Sequence, residues 1–185
     1  MLPVEVHAFI SAPREEIFDL IVDLTYRLAW TDHYTTEFHL ESPRAIGVGA
    51  AARYRLEAPF YHQWVGTEIV EAERPSRVVE ATRAGRLGRT RGEVTFELYR
   101  QGRSLTRVEM TTWSEPGTPR EAVMEKLAAR RWLRRQSKTA LERLRTIFEE
   151  EPDRPLARAG VAGWEPSKAA RFGLHPGTEP GEASG

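Results

Sequence analysis

Residues 43–52 read PRAIGVGAAA, and the last six match G-x-G-x-x-A, a variant of the glycine fingerprint of dinucleotide-binding loops. That fingerprint works between a strand and a helix of a parallel unit, where the helix N-terminus meets a pyrophosphate. Here Arg53-Tyr54-Arg55-Leu56-Glu57 follows at once with polar and apolar residues alternating, and no helix start is present. The stretch therefore opens a strand. Gly47 and Gly49 are read as a strand-to-strand turn that needs positive φ and close packing. No nucleotide or other cofactor is expected.

Working outward, the period of two continues on both sides. Phe38 and Leu40 alternate with Glu37, His39 and Glu41 upstream. Downstream, His62–Glu71 and Arg77–Arg83 flank the turn Arg74-Pro75-Ser76. Val94, Phe96 and Leu98 follow, then Val108 and Met110 beyond the short connection Gln101-Gly102-Arg103. These are six consecutive antiparallel strands. A further strand, Val4–Ile10, comes first, and Ser11, Pro13 and two early glutamates start a helix over 12–24 with Ile17, Leu20, Ile21 and Leu24 on one face. A second short helix covers Tyr26–Trp30.

After Glu115-Pro116-Gly117 the period becomes 3.6. Thr118 caps a helix entered through Pro119, with Val123, Leu127, Leu141, Leu144 and Phe148 on one face, ending at about Glu149. At 1.5 Å per residue it is about 45 Å long. The order predicts an α+β domain over 1–149: a curved seven-stranded antiparallel sheet wrapped around a long C-terminal helix, with two short helices after the first strand. A sheet gripping a helix that is not deeply seated leaves a space between them. Residues 150–185, Pro/Gly-rich and ending HPGTEPGEASG, are read as a disordered tail.

Lys+Arg and Asp+Glu both total 27, so the net charge is zero, which argues against a nucleic-acid binder. The absence of cysteine excludes disulfides and thiolate chemistry. The five histidines show neither H-x-x-x-H nor H-E-x-x-H spacing, so no metal site is expected. No apolar run approaches 18 residues, and MLPVEVHAFI does not read as a secretory signal; a cytoplasmic monomer or homodimer is expected.

The stretches ISAPREEIFDLIVDLTYRLAW (10–30), GVGAAARYRL (47–56), GTEIVEAERPSRVVE (66–80) and TALERLRTIFEE (139–150) resemble the START/Bet v 1-like superfamily, in its polyketide cyclase/dehydrase-like branch. The resemblance spans residues 1–149 and implies a helix-grip fold with an internal pocket for apolar or amphipathic small molecules. It also implies a glycine-rich loop between the second and third strands, and a pocket mouth near Trp30. The superfamily contains cyclases, dehydratases, lipid carriers and passive binders, so activity stays open.

Under that fold the inward residues either fill a core or line a pocket. The candidate ligand-binding set is Trp30, Phe38, Tyr54, Leu56, Thr67, Ile69, Phe96, Leu98, Val108, Met110 and Thr112, with Met124, Leu127 and Trp132 from the long helix. Among these, Tyr54, Thr67 and Thr112 could orient a ligand through hydroxyls. The charge of Glu68 argues for Val65, Thr67 and Ile69 facing inward. For acid–base chemistry the pool is His33, His62, Glu68, Arg91 and Glu93, with His33, Tyr54 and Arg91 the catalytic candidates. The expected function is binding of a hydrophobic or aromatic small molecule, lipid- or polyketide-like; the alternative is a cyclase, aromatase or dehydratase acting in the same cavity. The basic run RRWLRRQSKTALERLR (130–145) is read first as a solvated helix face, with transient contact to an anionic membrane as a second reading.

Overall fold

Alternating residues decide which face of each strand is buried, and in this chain they assign one apolar face to a single sheet. In the computed structural model, which describes residues 3–58, 61–85, 88–115, 129–150, 155–156 and 158–159, the strands are β1 (Val4–Ile10), β2 (Thr35–Leu40), β3 (Ala51–Ala58), β4 (Tyr61–Glu73), β5 (Arg77–Ala84), β6 (Thr90–Arg100) and β7 (Thr106–Glu115). All pairs are antiparallel, in the order β1-β7-β6-β5-β4-β3-β2. The first two strands thus form opposite edges. The chain between them crosses the sheet as α1 (Arg14–Val22), a 3-10 turn (Leu24–Tyr26) and α2 (Leu28–Thr31).

α1 begins two residues later than its periodicity suggested. Pro13 holds the cap position, without a side-chain cap bond, and the Ser11 N–H donates to Glu149 Oε1 at 2.8 Å instead. Ile17, Phe18, Ile21 and Val22 bury one stripe of α1, each large aliphatic contributing about 1.5–3 kcal/mol on leaving water. The long helix is described from Arg130 to Glu149 and called α3; it buries Ser137, Ala140, Leu141 and Leu144. Its expected first turns, 118–128, lie outside the described residues. α3 packs chiefly against β1 and α2, toward one edge of the sheet.

Two irregularities bend the sheet. Register shifts occur between Thr36 and His39 on β2, where Glu37 has φ 50°, and between Ile69 and Glu71 on β4. Such bulges increase local twist. At the β2–β3 corner Gly47 (φ 71°) and Gly49 (φ 85°) adopt the left-handed conformation the turn requires. Crowding is not the reason: a Cβ on Gly47 would meet nothing within 4 Å, and one on Gly49 only Arg44 Cδ at 3.7 Å. Their amides tie the corner inward, Gly47 N–H to Val22 O at 3.1 Å and Gly49 N–H to Ile69 O at 2.8 Å.

Among the described residues no helix is long and apolar enough to cross a membrane. Of the C-terminal extension, Leu156 faces a groove with Tyr26, Ile147 and Phe148. Ala159 N–H donates to Thr25 O at 2.7 Å, and the Arg158 guanidinium lies 5.0 Å from the Tyr26 ring centroid.

Candidate functional site

The strand phases place Tyr54 and Leu56 of β3, Val65 of β4, Thr82 and Ala84 of β5, Val94 of β6, and Met110 and Thr112 of β7 on one concave surface. Trp132 and Leu133 of α3 and Tyr34 from the α2–β2 link close it from above. The cavity has a volume of about 130 Å³, measured as space open to the centre of a water molecule. On that measure one water needs about 10–15 Å³, so the space is large enough for a molecule of several heavy atoms. The groove beside α1 and the end of α3 is larger, about 550 Å³, but more open, and Glu16 and Asp19 stand in its wall.

Tyr54, Leu56, Met110, Thr112 and Trp132 of the candidate set line this cavity. Trp30, Phe38, Thr67, Ile69, Phe96, Leu98 and Val108 do not; all are buried core. Met124 and Leu127 lie outside the described residues. Trp30 is the clearest displacement: it is fully buried, its ring edge-on to Phe96 at 5.9 Å, and so it is no portal residue. Of the three catalytic candidates, Tyr54 lines the cavity, Arg91 stands at its exposed rim, and His33 lines no part of it. His33 Nε2 instead sits 3.2 Å from Gln136 O, which accepts from the Nε2–H tautomer, and Nδ1 is buried without a partner among the described residues. Burial lowers the His33 pKa, with Gln136 opposing.

The residues that the sequence did not single out are Arg27, Glu80 and Tyr34. Glu80 shares the inward phase of Val78 and is 2% exposed. Arg27 reaches it with both terminal nitrogens, Nη1 at 3.0 Å from Oε2, while Thr67 Oγ1 donates to the same oxygen at 3.2 Å. The guanidinium lies 4.7 Å over the Trp30 ring and 5.8 Å from Phe96, so the pair is walled by aromatics. Desolvation works to lower the Arg27 pKa; the Glu80 charge and hydrogen bond outweigh it and raise it. Val78-x-Glu80-x-Thr82-x-Ala84 alternation was the signal, since a carboxylate on an inward phase demands a buried cation.

Beside this pair stand the two phenols. Tyr34 packs edge-on to Trp132 at 6.3 Å, and Tyr54 stacks on Phe38 at 5.9 Å and 12°. Burial pushes the Tyr34 phenol up to about 12 and the Tyr54 phenol higher still. Both are neutral hydroxyls at any ordinary pH. Among the described residues, Thr112 Oγ1 is buried with no hydrogen-bond partner. Among the described residues there is no cluster of side chains fit to hold a metal ion.

A family model described as polyketide cyclase/dehydrase and lipid transport matches residues 1–149. A comparison with curated proteins finds no match. Among solved structures, a protein of Thermus thermophilus is similar at 18% identity, with 77% of this chain and 94% of that chain covered and a TM-score of 0.60. Ginseng major latex-like protein 151 from Panax ginseng is similar at 10% identity, covering 80% of this chain and 97% of that one, TM-score 0.57. A protein of the dynemicin biosynthetic locus is similar at 19% identity, covering 85% of this chain and 50% of that chain, TM-score 0.56. Those likenesses show the helix-grip fold, and with the family match over nearly the whole sheet-and-helix domain they give the assignment: the chain belongs to the polyketide cyclase/dehydrase and lipid transport family.

Proposed function

We propose that this protein binds a hydrophobic or aromatic small molecule in the cavity between the sheet and α3. The observation that carries the proposal is the unpartnered Thr112 hydroxyl within an otherwise largely apolar wall. Leaving a buried hydroxyl unpaired costs about 1–3 kcal/mol, and a ligand oxygen beside Thr112 offsets it. Apolar burial supplies the affinity, and the hydroxyls of Tyr34, Tyr54 and Thr112 fix the orientation.

The same lining favours binding over turnover. Proton transfer near neutral pH is served by groups with pKa values near the working pH. The described lining has no carboxylate and no imidazole, and burial moves its phenols away from that range. Native mass spectrometry of the purified protein, followed by organic extraction, tests the proposal. The expected result is an adduct released as an apolar small molecule, or uptake of an added hydrophobic probe by the ligand-free chain. A bare mass combined with no uptake of N-phenyl-1-naphthylamine would contradict it.

A further inference from the structure

The registers around Gly92 gather hydroxyls on one part of the cavity wall. Residues directly opposite each other in antiparallel strands share a face of the sheet. Val94 and Thr112 are such a pair, and both line the cavity. Two residues along each strand, Thr82 of β5, Gly92 of β6 and Ser114 of β7 stand opposite one another on that same face, and all three line the cavity too. With no side chain on Gly92, Thr82 Oγ1 leans over its backbone, 2.8 Å from where a Cβ would lie. Ser114 flanks Gly92 on β7, and Thr112 is its diagonal neighbour. The result is a hydroxyl patch in an otherwise largely apolar wall. Thr112 Oγ1 is the member of it that is buried with no partner among the described residues.

Charge is balanced or turned away on this part of the sheet. Glu80 lies opposite Val94, and its carboxylate is taken by Arg27. Arg83, Arg91, Glu93 and Glu115 fall on the alternate phase, so their side chains point to the outer face. From α3, the side chains that close the cavity are Trp132 and Leu133. The described wall thus offers hydrogen bonds to a ligand but no counter-charge.

We propose that the ligand is an uncharged molecule bearing a hydroxyl group. That hydroxyl sits on the patch at Thr112 and Thr82, and the apolar body lies among Val94, Met110 and Trp132. The inference rests on the reading of the cavity as a binding site. Thr112 has a proton to give and lone pairs to fill, and a ligand hydroxyl answers both as acceptor and donor. A carboxylate only accepts. It would also be buried without a counter-ion, which costs far more than burying a hydroxyl that is hydrogen-bonded. A wholly apolar ligand leaves the Thr112 hydroxyl unpaired.

Three molecules with one ring system test this by equilibrium dialysis near neutral pH: naphthalene, 2-naphthol, which is a neutral hydroxyl compound, and 2-naphthoate, which is an anion. The expected result is that 2-naphthol binds about three- to ten-fold more tightly than naphthalene, with 2-naphthoate weaker than both. In Thr112→Val, which keeps the side-chain shape, the advantage of 2-naphthol disappears while naphthalene binds as before. Thr112→Ser keeps the hydroxyl and keeps the preference. Equal affinities of 2-naphthol and naphthalene for the wild-type chain, a preference that survives Thr112→Val, or tightest binding of 2-naphthoate would each overturn the hydroxyl assignment and leave cavity binding standing. Failure of all three to bind would overturn the binding reading itself.

Discussion

Glu80 is the residue on which the interior depends most, because a carboxylate 2% exposed to solvent persists only with a partner. Arg27 supplies that partner from 53 positions earlier in the chain, with Thr67 adding a hydrogen bond. Glu80→Ala leaves the guanidinium buried and uncompensated, and unfolding in urea should show a loss of about 3–5 kcal/mol. The double variant Arg27→Met/Glu80→Leu should recover most of that loss; no recovery would mean the pair is not the source. A second residue makes stability depend on pH. The folded His33 pKa is depressed below 6.5 by burial, so the unfolded chain takes up the proton more readily. His33 therefore contributes stability above pH 6.5 that is lost as the pH falls through that value toward the lower folded one. Urea titrations should show wild-type stability falling below pH 6.5, with a shallower fall for His33→Asn. The sequence analysis named neither member of the pair: the alternation of Glu80 with Val78 was the signal available for the carboxylate, and nothing in sequence spacing links the start of α2 to β5.

At the scale of elements, the strands were readable because a period of two shows which residues share a face, except where charge had to choose between phases, as on β4, and where bulges interrupt the alternation. Even β4 follows the phase that charge suggested, with Val65, Thr67 and Ile69 buried and Trp64 and Val70 exposed. Which inward residues form core and which face open space was not readable. That boundary depends on where α3 rests, and it rests toward β1 and α2, so Phe96, Leu98 and Val108 are covered while Val94, Met110 and Thr112 line the cavity. Trp30 departs from expectation for the same reason: a short helix pinned beneath α3 turns its indole into the core. Gly92, on β6, shows how tightly the cavity wall is built. A Cβ there would meet Trp113 O at 2.7 Å and Thr82 Oγ1 at 2.8 Å. Since the nearer atom is backbone, Gly92→Ala should cost about 1–3 kcal/mol and weaken probe binding by distorting β5–β7. Full retention of both would show that the strands can separate without penalty.

For the whole molecule, the sheet, α1 and α3 form the body, and the described part of the C-terminal extension is fastened to it. Leu156 shares the wall of the groove beside α1 with Tyr26, Ile147 and Phe148, and the Ala159 amide on Thr25 O and Arg158 on Tyr26 hold the segment there. Truncation after Glu150 removes these fastenings and one wall of that groove and should cost about 1–2 kcal/mol, a fall in Tm of about 2–8 °C for a chain of this size. Calorimetry showing an unchanged Tm would mean those contacts add nothing. The groove is also the natural competitor to the cavity as a place for an apolar molecule. Amide and indole chemical-shift mapping with N-phenyl-1-naphthylamine decides between them directly. Binding beneath α3 predicts shifts concentrated at Tyr54, Val94, Met110 and Thr112 and at the Trp132 indole N–H; shifts centred on Ala12, Leu20 and Phe148, with the cavity residues silent, would contradict it.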